Sequence, residues 1–230
     1  MKKVGIMQPY LFPYIGYFQS LHAVDDYVIY DDVNYIKGGW INRNNILIGA
    51  QPIRFSVALS DASPNKLINE IDIQDDFIKF RKTLTMAYAK APHYVTVMAL
   101  INEICDSPDK RLARFIGSSI QRIAEYLELS TNIMYSSDLH KDVQLKGQAK
   151  VLAICEELGA DMYINAIGGR ELYDTQSFAK LSIELKFIKT GDIEYRQYGK
   201  PFVPWLSIID VMMFNSPPEI RKMLDIYELV

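Results

Sequence analysis

The sequence has few of the residues that most often build metal, disulfide and hydrolase sites, with two cysteines and three histidines in 230 residues. Cys105 and Cys155 lie far apart in apolar helical patterns and match no zinc-ligand or CxxC spacing. We therefore expect two buried free thiols in a reducing compartment, with no disulfide and no structural metal. The isolated histidines form no Ser-His-Asp or Cys-His set at a recognisable spacing, which excludes the familiar hydrolase motifs.

Long apolar runs and a strong net charge are missing as well. The basic start of the chain is not followed by an apolar run long enough for a signal peptide, and no segment approaches a membrane span. A net charge of −3 does not indicate a basic surface that would bind nucleic acid or an anionic membrane. We therefore expect a cytoplasmic protein. We also expect a single domain, because a chain of 230 residues can bury a full hydrophobic core without disulfides or metal ions.

The sequence instead concentrates polar and aromatic residues between positions 7 and 44. The apolar run Val4–Met7 predicts the end of a buried strand, and Pro9 and Pro13 prevent both its continuation and a helix across the next residues. Helical spacing follows to Val24, and Tyr27–Tyr30 predicts a second strand. In such a β-loop-α-β unit, the loop after the first strand lies at the ligand-facing edge of the sheet.

Two carboxylates follow the second predicted strand. Asp31 and Asp32 are the candidate catalytic residues, since one could accept a proton from an amine or hydroxyl, or hold a sugar hydroxyl or Mg²⁺. A solvated turn after a strand explains the same pair equally well.

Residues 31–44 mix both charges, amides, glycines and a tryptophan without helical or strand periodicity, which is typical of a binding loop on a rigid scaffold. The alternative is an ordinary surface loop in which the Trp40 side chain only fills space by packing. Cations there could clamp a phosphate or carboxylate, amides could donate hydrogen bonds, and aromatic rings could stack on a sugar or base. With the preceding loop, the predicted substrate-binding residues are Gln8, Tyr10, Tyr17, Lys37, Trp40, Asn42, Arg43 and Asn44.

Weaker signals lie further along the chain. Ser136 ends a predicted strand and could bind a ligand or cap a turn. Gly168 and Gly169 could let backbone N–H groups approach a phosphate, although a plain turn needs the same glycines.

The remaining pattern predicts an α/β fold with a mostly parallel sheet, Rossmann-like or nucleotidyltransferase-like. A β-hairpin is expected at residues 45–59, and a helical insertion at about residues 75–129. Strands are predicted at 67–73, 132–135, 161–164, 184–188 and 193–196. Helices are predicted before Gly159, at 208–214 after the cap Ser207, and at 218–229.

Four blocks of sequence carry a family resemblance. Residues 8–18 resemble the QPxYLPWxGYF signature of the WbqC-like family, and residues 31–44 resemble its DDVQ…K…WxNRN block. Residues 163–173 and 202–210 resemble its Gly-rich and FVPxLSIID segments. This sequence has Tyr14 where Trp is usual and Asn34 where Gln is usual.

The resemblance implies a bacterial protein encoded beside enzymes of O-antigen or other surface-polysaccharide biosynthesis, and a glycine or other aminoacyl transferase acting on a sugar. The first unit also resembles the cores of nucleotidyltransferases and aminoacyl-tRNA synthetases. Those proteins carry an HxGH motif, whereas this loop has Pro13, Tyr14, Ile15 and Gly16, so ATP chemistry is not expected.

The resulting hypothesis is aminoacyl transfer, glycyl in the first instance, onto an amino or hydroxyl group of a nucleotide-linked sugar. Asp31 or Asp32 would accept the proton, while Lys37 and Arg43 would hold a diphosphate or the developing oxyanion. The expected partners are the nucleotide sugar and an activated amino acid, which an aminoacyl-tRNA could supply. The sequence identifies no cofactor. The alternatives are nucleotidyl or another transfer in the same pathway, or a non-catalytic sugar-binding protein.

Overall fold

The computed structural model describes residues 1–199 and 201–230. Its strands are β1 (Lys3–Met7), β2 (Asp26–Ile29), β3 (Arg43–Ile48), β4 (Gln51–Ser56), β5 (Leu59–Ser60), β6 (Asp72–Ile73), β7 (Asn132–Tyr135), β8 (Met162–Ala166), β9 (Glu184–Thr190) and β10 (Tyr227–Leu229). Its helices are α1 (Ile15–His22), α2 (Ile78–Tyr88), α3 (Tyr94–Cys105), α4 (Leu112–Tyr126), α5 (Gly147–Glu157), α6 (Thr175–Ala179), α7 (Ile208–Phe214) and α8 (Pro217–Leu224).

A six-stranded sheet in the order β10-β9-β8-β1-β2-β7 forms the centre of the molecule. All of its neighbouring strands pair in parallel except β10, which is antiparallel to β9. Counted from β7, the parallel strands follow the 3-2-1-4-5 order of doubly wound folds, with the change of direction between β1 and β8. This topology confirms the predicted α/β fold with a mostly parallel sheet.

Alternation along the strands sends side chains to helices on both faces of the sheet. Ile29 of β2 belongs to the same buried cluster as Phe18 and Leu21 of α1. Val4 of β1 belongs to a second buried cluster with Ile154 of α5. The sheet is therefore covered on both sides, as a parallel sheet requires.

Other local predictions are confirmed. The hairpin is formed by β3 and β4, which pair from Arg43–Ser56 to Ile48–Gln51. Helices α2, α3 and α4 fall within the segment predicted to be helical. Gly159 follows α5 with a φ of 63°, and the Ser207 hydroxyl caps α7 by accepting from the Ile209 N–H at 3.2 Å. Cys105 and Cys155 are free and buried.

Two predictions of regular structure are wrong. The segment predicted as a strand at 67–73 holds a 3₁₀ turn, Ile68–Glu70, before the short β6, because Ile68 and Ile71 are both buried and lie three residues apart. Residues 193–196 form no strand. The Gly-rich segment after β8 forms a 3₁₀ helix, Ile167–Leu172.

The last helix is also shorter than predicted. Helix α8 ends at Leu224, and the chain then forms β10. The buried Gln19 side chain explains the change, since its amide donates to the Met223 carbonyl at 3.0 Å and to the Ile226 carbonyl at 2.8 Å. Among the described residues, no helix is long and apolar enough to cross a membrane.

Candidate functional site

A cavity of about 590 Å³ opens at the carboxyl ends of β1, β8 and β9. Its walls come from the loop after β1, from the 3₁₀ helix after β8 and from the end of β9, and residues of the 36–41 loop close one side. This position is the switch point of the sheet, where doubly wound folds bind their ligands. We call this space the aromatic cavity.

Five aromatic side chains line this cavity: Tyr10, Tyr14, Tyr17, Trp40 and Trp205. The Tyr10 ring is central, with its centroid 6.2 Å from those of Tyr17 and Trp40 and 6.4 Å from that of Tyr14. Trp40 and Trp205 keep 44% and 67% of their surface exposed, so both indoles remain open to a ligand. Such walls suit a flat ring or the apolar face of a sugar.

The polar groups of the aromatic cavity are mainly hydrogen-bond donors. Burial raises the pKa of Tyr10, Tyr14 and Tyr17, so these phenols stay protonated at neutral pH. Among the described residues, the side-chain amide of Gln8 has no hydrogen-bond partner, and Lys189 is the cation in the lining. The cavity can therefore combine stacking with donation to ligand oxygens.

The loop after β1 is fixed from outside the cavity. The Asn44 amide donates to the Phe12 carbonyl at 2.6 Å, and the Ser207 hydroxyl donates to the same carbonyl at 2.7 Å. The Leu11 N–H donates to the Ile41 carbonyl at 3.0 Å. Asn44 is fully buried, so this predicted ligand-binding residue instead supports the loop that carries Tyr10.

Other predicted residues of the 31–44 segment also have protein partners. The Asn42 side chain accepts from the Tyr35 hydroxyl at 3.0 Å and donates to the Val57 carbonyl at 2.9 Å. The Arg43 guanidinium lies 5.6 Å from the centre of the Trp40 ring, outside the cavity lining, and backs the face of that ring. Lys37 is exposed and does not line the cavity.

The two aspartates after β2 are held in separate polar contacts. Asp31 is fully buried and accepts from the Ser137 N–H at 2.9 Å and from the Ser137 hydroxyl at 2.7 Å. Asp32 forms ion pairs with Lys141 at 3.0 Å and Lys150 at 3.2 Å, and both lysine side chains are almost fully buried.

The environments of these aspartates move their pKa values in opposite directions. Burial raises the pKa of Asp31 and outweighs the hydrogen bonds from Ser137. Burial also disfavours the charged form of Asp32, but the neighbouring Ser136 hydroxyl, Lys141 and Lys150 hold its pKa below the usual range. At neutral pH Asp32 is therefore ionised, and its charge serves as the counter-ion of two buried lysines.

The structure brings part of the predicted site together. The predicted residues that line the aromatic cavity are Gln8, Tyr10, Tyr17, Trp40 and Gly168. Those that lie outside its lining are Asp31, Asp32, Lys37, Asn42, Arg43, Asn44, Ser136 and Gly169. Ser136 is fully buried at the start of a 3₁₀ turn, and Gly169 packs against the side chain of Asn165.

Sequence reasoning missed several residues around this edge of the sheet. Trp205 lines the cavity from a loop with prolines at positions 201 and 204, a composition that could have indicated it. The ion pairs of Lys141 and Lys150 could not be predicted, because both lysines lie more than a hundred residues from Asp32 and no local sequence pattern links them to it.

The chain matches the model of the WbqC-like protein family over residues 8–222. It belongs to that family. It is 30% identical over 225 residues to the protein named "Uncharacterized protein Rv1507c" of Mycobacterium tuberculosis, with 95% of this chain and 96% of that protein covered. No solved structure matches the chain.

The blocks that suggested the WbqC-like family meet at the aromatic cavity. The first block supplies Tyr10, Tyr14 and Tyr17, and the last supplies Trp205. The Tyr14 and Trp205 rings contact edge to face with centroids 5.7 Å apart. The last block also supplies the fully buried Asp210, which therefore belongs to the structure around this wall.

Proposed function

We propose that this WbqC-like protein binds a nucleotide-linked sugar in the aromatic cavity and transfers an aminoacyl group, glycyl in the first instance, onto that sugar. The observation that carries the proposal is the set of five aromatic side chains around a cavity of about 590 Å³ at the switch point of the sheet. Aromatic faces stack on nucleobases and on sugar rings, and their contact area gives affinity without a charged ligand partner.

The chemistry of the proposed step places simple demands on the cavity. A hydroxyl or amino group of the sugar attacks the carbonyl of the activated amino acid and the new ester or amide bond forms. The activating group leaves with the electrons of the broken bond, and the proton of the nucleophile passes to that leaving group or to solvent. Negative charge develops on the carbonyl oxygen, and the protonated Tyr10 phenol and the Gln8 amide are donors of the kind that stabilise it.

The assignment of the proton acceptor to Asp31 or Asp32 stays a prediction, and the contacts of both carboxylates weigh against it. Asp31 is fully buried beneath Ser137, and Asp32 is occupied by two lysines. Neither aspartate lines the aromatic cavity. A general base has to come within hydrogen-bond reach of the proton that it takes.

A non-catalytic sugar-binding protein is the second candidate. The observation that favours it is the absence of any carboxylate or histidine among the described residues that line the aromatic cavity. The two candidates share the binding step and differ in the transfer step, so they can be separated experimentally.

Calorimetric titration with UDP- and dTDP-linked hexoses and amino sugars tests the shared step. Trp40→Ala removes an aromatic wall and should weaken binding about tenfold or more, on the scale of one lost stacking contact. Ile53→Ala is the matched control, because Ile53 has the same exposed fraction of 44% and does not line the cavity. Equal binding by the wild type and Trp40→Ala would contradict the proposal.

The transfer step is tested with the sugar that binds best. Incubation with glycyl-tRNA, glycyl adenylate or a glycyl thioester should yield a product heavier by one glycyl residue in mass spectrometry. Binding without transfer from any of these donors would favour the non-catalytic sugar-binding protein.

A further inference from the structure

A second cavity, of about 680 Å³, lies beside the aromatic cavity. The two share three lining residues, Tyr14, Thr190 and Trp205. The Tyr14–Trp205 aromatic pair thus forms a common wall, and Thr190 lines both cavities beside it. We call this space the acidic cavity, because its chemistry differs from that of its neighbour.

The acidic cavity combines two carboxylates with aromatic rings. Asp192 and Glu194 line it together with the aromatic residues Tyr195, Phe202 and Trp205. Neither carboxylate forms an ion pair or hydrogen bond with any residue in the ranges 1–199 and 201–230. No lysine, arginine or histidine is among the described residues of the lining. Among the described residues, no cation offsets these two carboxylates, which lie beside aromatic faces.

A buried network holds the walls of the acidic cavity in place. Asp210 accepts from the hydroxyl groups of Tyr88 at 2.6 Å and Tyr195 at 2.8 Å, and from the Gln197 amide at 3.0 Å. Gln197 in turn donates to the Val203 carbonyl at 3.0 Å and accepts from the Val203 N–H at 2.9 Å. The loop that carries Phe202 and Trp205 has no regular secondary structure, and these hydrogen bonds connect it through Gln197 to the Asp210 carboxylate.

The common wall also stores backbone strain. Trp205 has a φ of 61° and Phe12, in the loop that carries Tyr14, has a φ of 42°. The left-handed region is unfavourable for bulky residues. Such conformations persist where surrounding contacts impose them, and here they lie in the two loops that separate the cavities.

We propose that the acidic cavity binds the ammonium group of a primary amine. Carboxylates attract the charge, and aromatic faces such as that of Trp205 add cation–π attraction. Resting on the function proposed above, the amine is the α-amino group of the activated amino acid. The sugar in the aromatic cavity and the amino acid in the acidic cavity then meet at the Tyr14–Trp205 wall.

The two tryptophans of the chain allow a direct test by NMR. Trp205 lines both cavities, whereas Trp40 lines only the aromatic one. Glycinamide, which has an ammonium group and a neutral carbonyl, should shift the indole N–H signal of Trp205 saturably and leave that of Trp40 unchanged. Acetamide lacks the ammonium group and should shift neither signal.

Variants then assign the charge. The double substitution Asp192→Asn with Glu194→Gln should weaken glycinamide binding about tenfold or more, because it removes both charges while keeping side-chain size. Glu156→Gln is the control, because Glu156 is exposed on α5 and lines neither cavity, and it should bind like the wild type. Trp205→Ala should weaken glycinamide and nucleotide sugar alike, since it removes the common wall.

Three results would overturn the inference: no glycinamide binding, unchanged binding in the double variant, or equal binding of acetamide. A shift of the Trp40 signal as large as that of Trp205 would also overturn it, because the probe would then occupy the aromatic cavity. Failure of nucleotide sugars to bind while glycinamide binds as described would instead reject the proposed function and leave the ammonium site intact.

Discussion

At the scale of single residues, the two carboxylates that follow β2 are held by partners from distant parts of the chain. Asp31 and Asp32 stand side by side at a strand end, where catalytic carboxylates are often found. Asp31 accepts from Ser137, and Asp32 forms ion pairs with Lys141 and Lys150. These partners come from segments more than a hundred residues away, so no local sequence pattern could predict them.

The ion pairs of Asp32 predict a large effect on stability. Asp32→Asn would leave two almost fully buried ammonium groups without a counter-charge, so we expect the free energy of unfolding to fall by about 3–5 kcal/mol. Asp138→Asn is the control, because Asp138 pairs with Arg114 at the surface and should contribute about 1 kcal/mol or less. Urea denaturation of both variants measures the difference.

The pH dependence of this difference has a definite sign. The folded-state pKa of Asp32 lies below its usual value of 3.8, so the folded protein binds that proton less readily than the unfolded chain does. Its stabilising contribution is therefore present above pH 3.8 and is lost as the pH falls through the lowered pKa. The stability gap between wild type and Asp32→Asn should shrink in that acid range, and a gap that widens there would refute the ion-pair assignment.

At the scale of elements, the β1–α1–β2 unit followed from sequence because its signals are local. Pro9 and Pro13 fix the loop, and apolar spacing marks the helix and the strand. The loop at 191–199 could not be predicted in the same way, since Tyr195 and Gln197 are held by a carboxylate on α7 rather than by a strand ladder. The aromatic cavity was only partly predicted, because one of its walls comes from residues 188–190 and from Trp205, which lie far along the chain from the first loop.

The start of α1 provides a prediction at this scale. A Cβ at Gly16 would lie only 2.6 Å from the Thr190 hydroxyl and would overlap the Tyr14 ring, whereas a Cβ at Gly168 would meet nothing within 4 Å. Replacing a helical glycine by alanine normally stabilises a helix by about 1 kcal/mol. Gly16→Ala should instead lower the free energy of unfolding by about 1–3 kcal/mol, since it overpacks the common wall.

Gly168→Ala is the matched control within the same cavity lining and should change stability by about 0.5 kcal/mol or less. Thermal unfolding of the two variants gives the comparison. Stabilisation by Gly16→Ala would show that the side chains of Tyr14 and Thr190 leave room for a Cβ at the start of α1.

At the scale of the whole molecule, the position of the aromatic cavity follows from the topology of the sheet. The strand order changes direction between β1 and β8, so the loops after these strands diverge and leave a space that side chains can line. The WbqC-like blocks lie far apart in sequence and converge there. The fold thus explains why a single region of this chain combines the first and last blocks in one binding surface.

The central claim, that a nucleotide sugar binds in the aromatic cavity, is tested most directly by intrinsic fluorescence. The chain has two tryptophans, and both line this cavity. Titration with UDP- and dTDP-linked sugars should change the emission saturably, and Trp205→Phe, in which Trp40 is the sole reporter, should retain a saturable change. The contrary result would be unchanged tryptophan emission in the wild type at sugar concentrations where calorimetry shows that the ligand is bound, because the ligand would then lie elsewhere on the protein.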